Sequence, residues 1–402
     1  MKRVYTSVAQ SHLKKYRQMI FLAGPRQVGK TTCSKSFEKE YSPFYYLNWE
    51  VAEHRKLIIA GPIDVGNFLN LQTVNTKKTL VVFDEIHKFG KWKRFLKGFF
   101  DLYEKKCHVI VTGSAKLDVY QRGGDSMMGR YFPYRVHPLS VGELLRTQIR
   151  ETELVPPKRL DPQELDRLLH FGGFPEPYIR MDQHFSNNWH RLRKQQLIED
   201  DIRQLSQIQD FSELEILLDL IADESGQLLN ASSFAKQINM ASNTITRWVK
   251  TLESFYFCYL VKPWSTNVRR TLRKTPKVYL WDWSMVKDRG QRVENFIASH
   301  LLKAVHFWTD LGFGSYDLHY IRDTNKNEVD FLVTKERKPW FLVEAKASTN
   351  KRISKQLYKF QEELEVPFAF QVVYDMPYVD VDCFTQTKPV IVPASTLLSQ
   401  LV

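Results

Sequence analysis

Residues 18–32 read QMIFLAGPRQVGKTT. An apolar run stops at Gly24, and a polar, helix-like stretch beginning TTCSKSFEKE follows it. The chain therefore passes from a strand through a glycine-bounded turn into a helix. Gly24 and Gly29 tolerate backbone angles that other residues avoid, so the N–H groups of the turn can point inward as an anion nest. The start of the helix adds its positive dipole end. In the pattern G-x-x-x-x-G-K-T, Lys30 reaches the β- and γ-phosphates of a nucleotide and the Thr31 hydroxyl ligates Mg²⁺. The expected ligand is ATP with Mg²⁺, held by Gly24, Pro25, Arg26, Gln27, Val28, Gly29, Lys30, Thr31 and Thr32.

Further along, KTLVVFDEIHK (78–88) is an apolar strand ending in Asp84 and Glu85. Asp84 is expected to hold the magnesium through water, and Glu85 to polarise the attacking water. CHVIVTGS (107–114) is another strand that closes on small polar residues. Thr112 or Ser114 falls at its C-terminal edge, where ligands bind in such sheets, and Ser114 is the favoured sensor of the γ-phosphate. Arg122 and Arg130 follow in QRGGDSMMGR. Arg130 is the candidate for stabilising transition-state charge, within one chain or across an interface. With FYYLNW (44–49), these runs alternate with helix-like stretches between about 15 and 145. That rhythm predicts a parallel sheet covered by helices on both faces.

The run GPRQVGKTT, FDEIHK, VTGS, MMGRYFPYRVHPLSVGELL and GGFPEPY resembles the AAA_14-type ATPases that carry a C-terminal DUF4143 domain, over nearly the whole chain. The last two stretches are more specific than the P-loop. The resemblance implies an AAA+-like P-loop core, a winged helix and a nuclease-like C-terminal domain, and it brings no substrate with it.

The 402 residues are too many for one ordinary domain. The P-loop domain is expected over 1–150. ELVPPKRLDPQEL (153–165) reads as a linker, and a helical lid is expected over 151–225. In 226–288, LLNASSFAKQINMASNTITRWVKTLESFYFCYLVKPW reads as helix, turn, helix and strand, a winged-helix pattern. Asn230 or Ser232 can cap the first helix and Ser242 or Asn243 the second. The second helix would offer Asn243, Thr246, Arg247 and Lys250 to a DNA groove, with Arg269, Arg270, Arg273 and Lys274 in the wing.

The remaining stretch, 289–402, has a helix (VENFIASHLLKAV) and then strands. In NEVDFLVTKERKPWFLVEAKAS, strand alternation puts Glu344 and Lys346 on one face, and Asp330 opens the neighbouring strand of a hairpin. Two carboxylates and a backbone carbonyl suit Mg²⁺, which would activate water against a phosphodiester. Lys346 would orient the nucleophile, and Glu294 could add another acidic ligand. The set Glu294, Asp330, Glu344, Lys346 resembles the PD-(D/E)xK nuclease core, which implies a restriction-endonuclease-like α/β domain. A cluster kept only as an ion-pair network is the competing reading.

Lys and Arg number 58 against 45 Asp and Glu, a net charge of +13 that favours a polyanionic partner, DNA first. Cys33, Cys107, Cys258 and Cys383 are scattered without a CxxC pair, which argues against zinc and a disulfide framework. MKRVYTSVAQ lacks a signal-peptide core, and no apolar run is long enough to span a bilayer, so a cytoplasmic location is expected. The sequence is compatible with a homo-oligomer. The whole reads as a DNA-interacting ATPase coupled to a Mg²⁺-dependent nuclease-like domain. The rival reading is an ATP-switched DNA-binding regulator or scaffold with an inactive nuclease-like domain.

Overall fold

The computed structural model describes residues 1–73, 78–113, 127–203, 208, 210–265, 275–348 and 352–402. Ser114, Arg122 and the wing cations Arg269, Arg270, Arg273 and Lys274 lie outside them. Two compact units divide the chain: Met1–His137 with Thr147–Ile149, and Pro138–Arg146 with Arg150–Val402.

The first unit is built on five strands: β1 (Met19–Ala23), β2 (Phe44–Asn48), β3 (Thr79–Asp84), β4 (Cys107–Gly113) and β5 (Tyr131–Arg135). They pair in parallel in the order β2-β3-β4-β1-β5. Every residue of β1 and β3 is buried, as expected of inner strands covered on both faces. The helices are α1 (Val4–Lys15), α2 (Lys30–Lys35), α3 (Ala52–Ala60), α4 (Pro62–Phe68) and α5 (Trp92–Tyr103). In α5, Trp92, Phe95, Leu96, Phe99, Phe100 and Tyr103 recur at helical spacing and are all buried. Phe95 and Phe99 meet the Phe83 ring edge-on at 5.5 and 5.2 Å, which anchors α5 behind β3. Truncating Phe99 to alanine would cost about 3–5 kcal/mol, because such a cavity closes only in part.

The register sets the site. Ala23 pairs with Gly113 and Asp84 pairs with Thr112, so β1, β3 and β4 end level at their carboxyl edge. Ligands of open α/β sheets bind at that edge. Gly24 follows β1 where a Cβ would lie 2.2 Å from the Val136 carbonyl oxygen, so only glycine fits beside the neighbouring strand.

The second unit carries a seven-stranded mixed sheet. Its strands are β6 (Cys258–Pro263), β7 (Lys277–Leu280), β8 (Tyr316–Arg322), β9 (Glu328–Lys335), β10 (Lys338–Lys346), β11 (Phe368–Val373) and β12 (Val390–Pro393). The order is β12-β11-β10-β9-β8-β6-β7, with β8, β9 and β10 antiparallel and β10, β11 and β12 parallel. The hairpin β6–β7 thus extends the sheet of the C-terminal strands, through the Lys262–His319 and Pro263–Tyr320 pairs.

Helices Phe211–Asp223, Ala231–Gln237 and Ser242–Ser254 share one apolar core with that hairpin, including Phe234, Ile245, Trp248 and Leu252. Asn230 caps the first of the expected helix pair by accepting from the Ser233 amide at 3.0 Å. The second helix starts at Ser242 after Ala241 without a side-chain cap, so neither Ser242 nor Asn243 serves there. The stretch expected as a linker is tied down instead. Val155 and Leu160 are buried, the Val155 amide donates to Gln400 at 3.2 Å, and Glu153 accepts from Lys335 and Tyr316, each at 2.6 Å. Its prolines signalled irregular backbone, which need not be loose backbone.

Candidate functional site

The turn after β1 has the anion-nest backbone. Gln27 (φ 61°) and Gly29 (φ 99°) both take the left-handed region before α2 begins at Lys30. The Lys30 ammonium is buried and donates to the carbonyls of Gly24 and Pro25, at 2.8 and 2.7 Å. Val28 is fully buried, while Gln27 in the turn and Thr31 and Thr32 at the start of α2 are exposed.

Asp84, at the end of β3, gathers three hydroxyls. Thr31 donates to it at 3.3 Å, and Thr112 and Tyr46 donate as well. The two motifs that the sequence placed 53 residues apart thus meet. Of the two sensor candidates, Thr112 is the one found on Asp84, whereas Ser114 lies outside the described residues. Burial and the hydrogen bond to Asp84 push the Tyr46 phenol above its ordinary range.

Glu85 takes a left-handed backbone (φ 54°), a strained state for a non-glycine residue that turns the chain out of the strand. Two residues on, the His87 side chain is 6% exposed with Nε2 3.6 Å from the Glu85 carboxylate. Neither of its ring nitrogens has a hydrogen-bond partner among the described residues. Burial, and then the charges of Lys88, Lys30 and Arg26, push its pKa down to about 3, so the ring is neutral.

Arg130 is not part of this constellation. Its carbonyl accepts from the Met19 amide at 2.8 Å, at the start of β1, and the P-loop follows the other end of that strand. Five residues of strand, roughly 16 Å at ~3.3 Å each, separate the two. The guanidinium instead holds Asp101 through two bonds, at 2.7 and 3.0 Å. The expectation that Arg130 serves its own chain's nucleotide is therefore corrected.

Sequence reasoning passed over three residues here. Tyr46 lies within the quoted FYYLNW but carried no assigned role. His87 was within the quoted FDEIHK but carried no assigned role. Arg3, 4% exposed, donates to the carbonyl of Val28 and to that of His137 at 2.6 Å, bracing the P-loop from behind. A lone arginine near the N-terminus gave no signal of this.

In the second unit, the acidic cluster forms around β9 and β10. The Asp330 carboxylate accepts from the Ala345 amide at 2.9 Å, and Lys346 donates to Glu344 at 2.8 Å. The other Glu344 oxygen is buried without a partner. Burial, and then the Asp330 charge, push the Glu344 carboxyl up to about 7. Glu294 moves the same way for the same two causes, also to about 7. Lys277, which the sequence reading did not single out, enters from β7. Its ammonium lies 2.7 Å from Glu328, 3.4 Å from Glu294 and 3.6 Å from Asp330. Glu294 also accepts from the Tyr279 hydroxyl at 2.8 Å. Asp330 and Glu344 keep the hard-oxygen character expected of a Mg²⁺ pair, and the unpartnered Glu344 oxygen is a donor that such a cation could take. Lys277 and Tyr279 both bond the same Glu294 oxygen, Oε1, so an ion-pair network also engages this carboxylate. Among the described residues, no three His, Cys, Asp or Glu side chains meet as a metal-ligand set.

Comparison with known proteins follows this division. Residues 16–145 match AAA_14, described as an AAA domain. Residues 162–288 match DUF8612 and residues 289–388 match DUF4143, both domains of unknown function. Residues 16–145 are thus similar to AAA-type P-loop domains, and residues 289–388 to the DUF4143 family. An uncharacterized protein of Mycobacterium tuberculosis (strain ATCC 25618 / H37Rv) is 21% identical over 364 residues, 87% of this chain and 74% of that protein. One of Methanocaldococcus jannaschii is 22% identical over 344 residues, covering 78% and 72%. Among solved structures, Thermotoga maritima RuvB matches with a TM-score of 0.30 and 12% identity, over 64% of this chain and 86% of that one. No helix among the described residues is long and apolar enough to cross a membrane.

Proposed function

We propose that this chain binds and hydrolyses ATP with Mg²⁺, and that the nucleotide state controls its engagement of DNA. The observation that carries the first part is the meeting of Thr31, Thr112 and Tyr46 on Asp84, beside a P-loop whose lysine points inward. When bound, the magnesium ion would be held by Thr31 directly and Asp84 through water, neutralising charge on the phosphates. Glu85 takes the proton of the attacking water. Lys30 leaves its loop carbonyls for the phosphates, an exchange of neutral acceptors for charged ones that favours the nucleotide.

DNA engagement is assigned to the helix-turn-helix and hairpin of the second unit, read as a winged helix. Asn243, Thr246, Arg247 and Lys250 are all exposed on Ser242–Ser254, while Ile245, Trp248, Val249 and Leu252 fix the opposite face in the core. The chain's net charge of +13 supports the same partner. The DUF4143 domain is read as nuclease-like. Asp330 and Glu344 would hold a Mg²⁺ ion that activates water, with Lys346 beside it.

The decisive test is ATPase turnover of wild type beside Lys30→Ala and Glu85→Gln; equal rates in all three remove the site assignment. DNA affinity measured against salt, with Arg247→Ala and Lys250→Ala, tests the second part: a flat salt response or unchanged affinity counts against it. Cleavage by wild type that persists in Glu344→Ala and Lys346→Ala would trace to contamination and end the nuclease reading.

A further inference from the structure

His87 stands out among the buried polar groups of the first unit. It follows β3 in the short 3₁₀ turn Ile86–Lys88, its side chain is 6% exposed, and both ring nitrogens lack a hydrogen-bond partner among the described residues. A buried donor or acceptor left unsatisfied is costly, so an imidazole with two such atoms is expensive unless something arrives to satisfy it. Its surroundings say what that would be. Nε2 is 3.6 Å from the Glu85 carboxylate, too long for a direct hydrogen bond and close enough for one water to one side of the pair to bond both. The cations whose charges it feels are Lys88 and two P-loop residues, Lys30 and Arg26. An orphaned ring thus lies beside the proposed base and feels the charges of the loop proposed to hold the phosphates.

We propose that His87 is a positioning residue for hydrolysis: its neutral ring hydrogen-bonds the attacking water together with Glu85, fixing that water in line with the γ-phosphate. The inference rests on the ATPase reading given above. In the step it serves, the water oxygen forms a bond to the γ-phosphorus as the bond to the β-phosphate bridging oxygen breaks. ADP leaves, and the water proton passes to Glu85. His87 neither takes nor gives a net proton; with burial and neighbouring cations keeping it neutral, it offers one N–H and one lone pair. The catalytic benefit is orientation, which is sensitive to sub-ångström placement.

The test compares wild type, His87→Phe and His87→Gln by steady-state ATPase kinetics and by thermal melting without nucleotide. Phenylalanine fills the volume and removes both orphaned nitrogens, so it should melt no lower than wild type. The expected result is a 10- to 100-fold fall in kcat for His87→Phe with KM changed less than about threefold, because the group acts on the water rather than on nucleotide binding. His87→Gln, which restores a donor and an acceptor, should recover part of the kcat. Unchanged kcat in His87→Phe overturns the proposal. So does a joint loss of melting temperature and turnover in both variants, which marks a structural role. Failure of the ATPase reading itself shows differently, as wild-type turnover equal to that of Lys30→Ala.

Discussion

The Lys277 ammonium lies 2.7 Å from the Glu328 carboxylate, with a side chain only 5% exposed. Burial alone would discharge it. The charges of Glu294, Asp330 and Glu328 outweigh that penalty and hold its pKa above the ordinary lysine value. One strand of the hairpin therefore supplies the cation around which acids from the Arg289–Asp310 helix and from β9 assemble. Replacing Lys277 by methionine keeps the aliphatic stem and leaves the half-buried Glu294 and Asp330 without their ammonium, while Glu328 keeps Arg322 at 2.8 Å. Breaking a buried pair from one side costs about 3–5 kcal/mol, and the unfolding midpoint in urea should fall accordingly. Adding Glu294→Gln to Lys277→Met should restore part of it, since the residues are coupled. A midpoint that stays put in the single variant would mean the ammonium does not hold the cluster together.

A smaller effect is expected at Tyr46. Its hydroxyl donates to Asp84 from the edge strand β2, alongside Thr31 and Thr112. Tyr46→Phe removes one of three donors and leaves the ring in place over Lys35, whose ammonium is 4.4 Å from its centroid. The fold should be unaffected. Turnover should fall about three- to tenfold, the net value of one ordinary hydrogen bond, because two other donors remain on Asp84. A magnesium titration of the ATPase rate separates the causes. A rightward shift places the defect in metal binding, and no change in rate or midpoint shows that Tyr46 is dispensable.

These two residues mark where the sequence stops being informative. The P-loop, Asp84 and Glu85 could be read because they lie at the ends of apolar strands, and the parallel register levels those ends whatever the intervening chain does. Strand alternation likewise put Glu344 and Lys346 on one face, and the structure pairs them. Tyr46 and Lys277 reach their sites through pairings between segments distant in sequence, β2 with β3 and β7 with β6, which no local pattern encodes. Glu294 was expected as a further acidic group, and the structure adds Lys277 as its partner, which was out of view in the sequence. The role of Arg130 within its own chain was out of reach for a related reason. Its distance from the P-loop along the sequence gave no hint that it precedes β5 while the P-loop follows β1, at opposite ends of two paired strands.

Arg130 offers a direct check of that geometry. Its bond with Asp101 is half-exposed, with side chains 26% and 46% accessible, so it contributes at most about 1 kcal/mol to stability. Arg130→Ala should leave nucleotide affinity, measured by titration with a fluorescent ATP analogue, within about twofold of wild type; a loss of tenfold, about 1.4 kcal/mol, would put the guanidinium back at the phosphates of its own chain.

His300 gives the acid response of the second unit. It is 1% exposed, and both nitrogens are committed. Nε2 accepts the Val141 amide N–H at 3.1 Å, and Nδ1 faces the Phe296 carbonyl at 2.7 Å. An amide can only donate and a carbonyl can only accept, so the proton sits on Nδ1 and Nε2 keeps its lone pair. Protonating Nε2 would set two N–H groups against each other. Burial is the main cause that holds this histidine down to about 3, with the Lys303 charge adding to it. The folded pKa is depressed below the unfolded value of about 6.5, so above that pH the group has no effect on stability. As pH falls from about 6.5 toward 3, the unfolded chain binds a proton that the folded chain refuses. Stability is then lost at about 1.4 kcal/mol per pH unit. His87 and His108, held at about 3 and about 4, act with the same sign in the first unit. Urea unfolding of wild type and His300→Gln at pH 7.5, 6, 5 and 4.5 should show the variant weaker at the highest pH, because the packing is imperfect. It should also be less steep in its decline by about one proton's worth. Parallel pH slopes for the two proteins would show that this imidazole takes up its proton without cost.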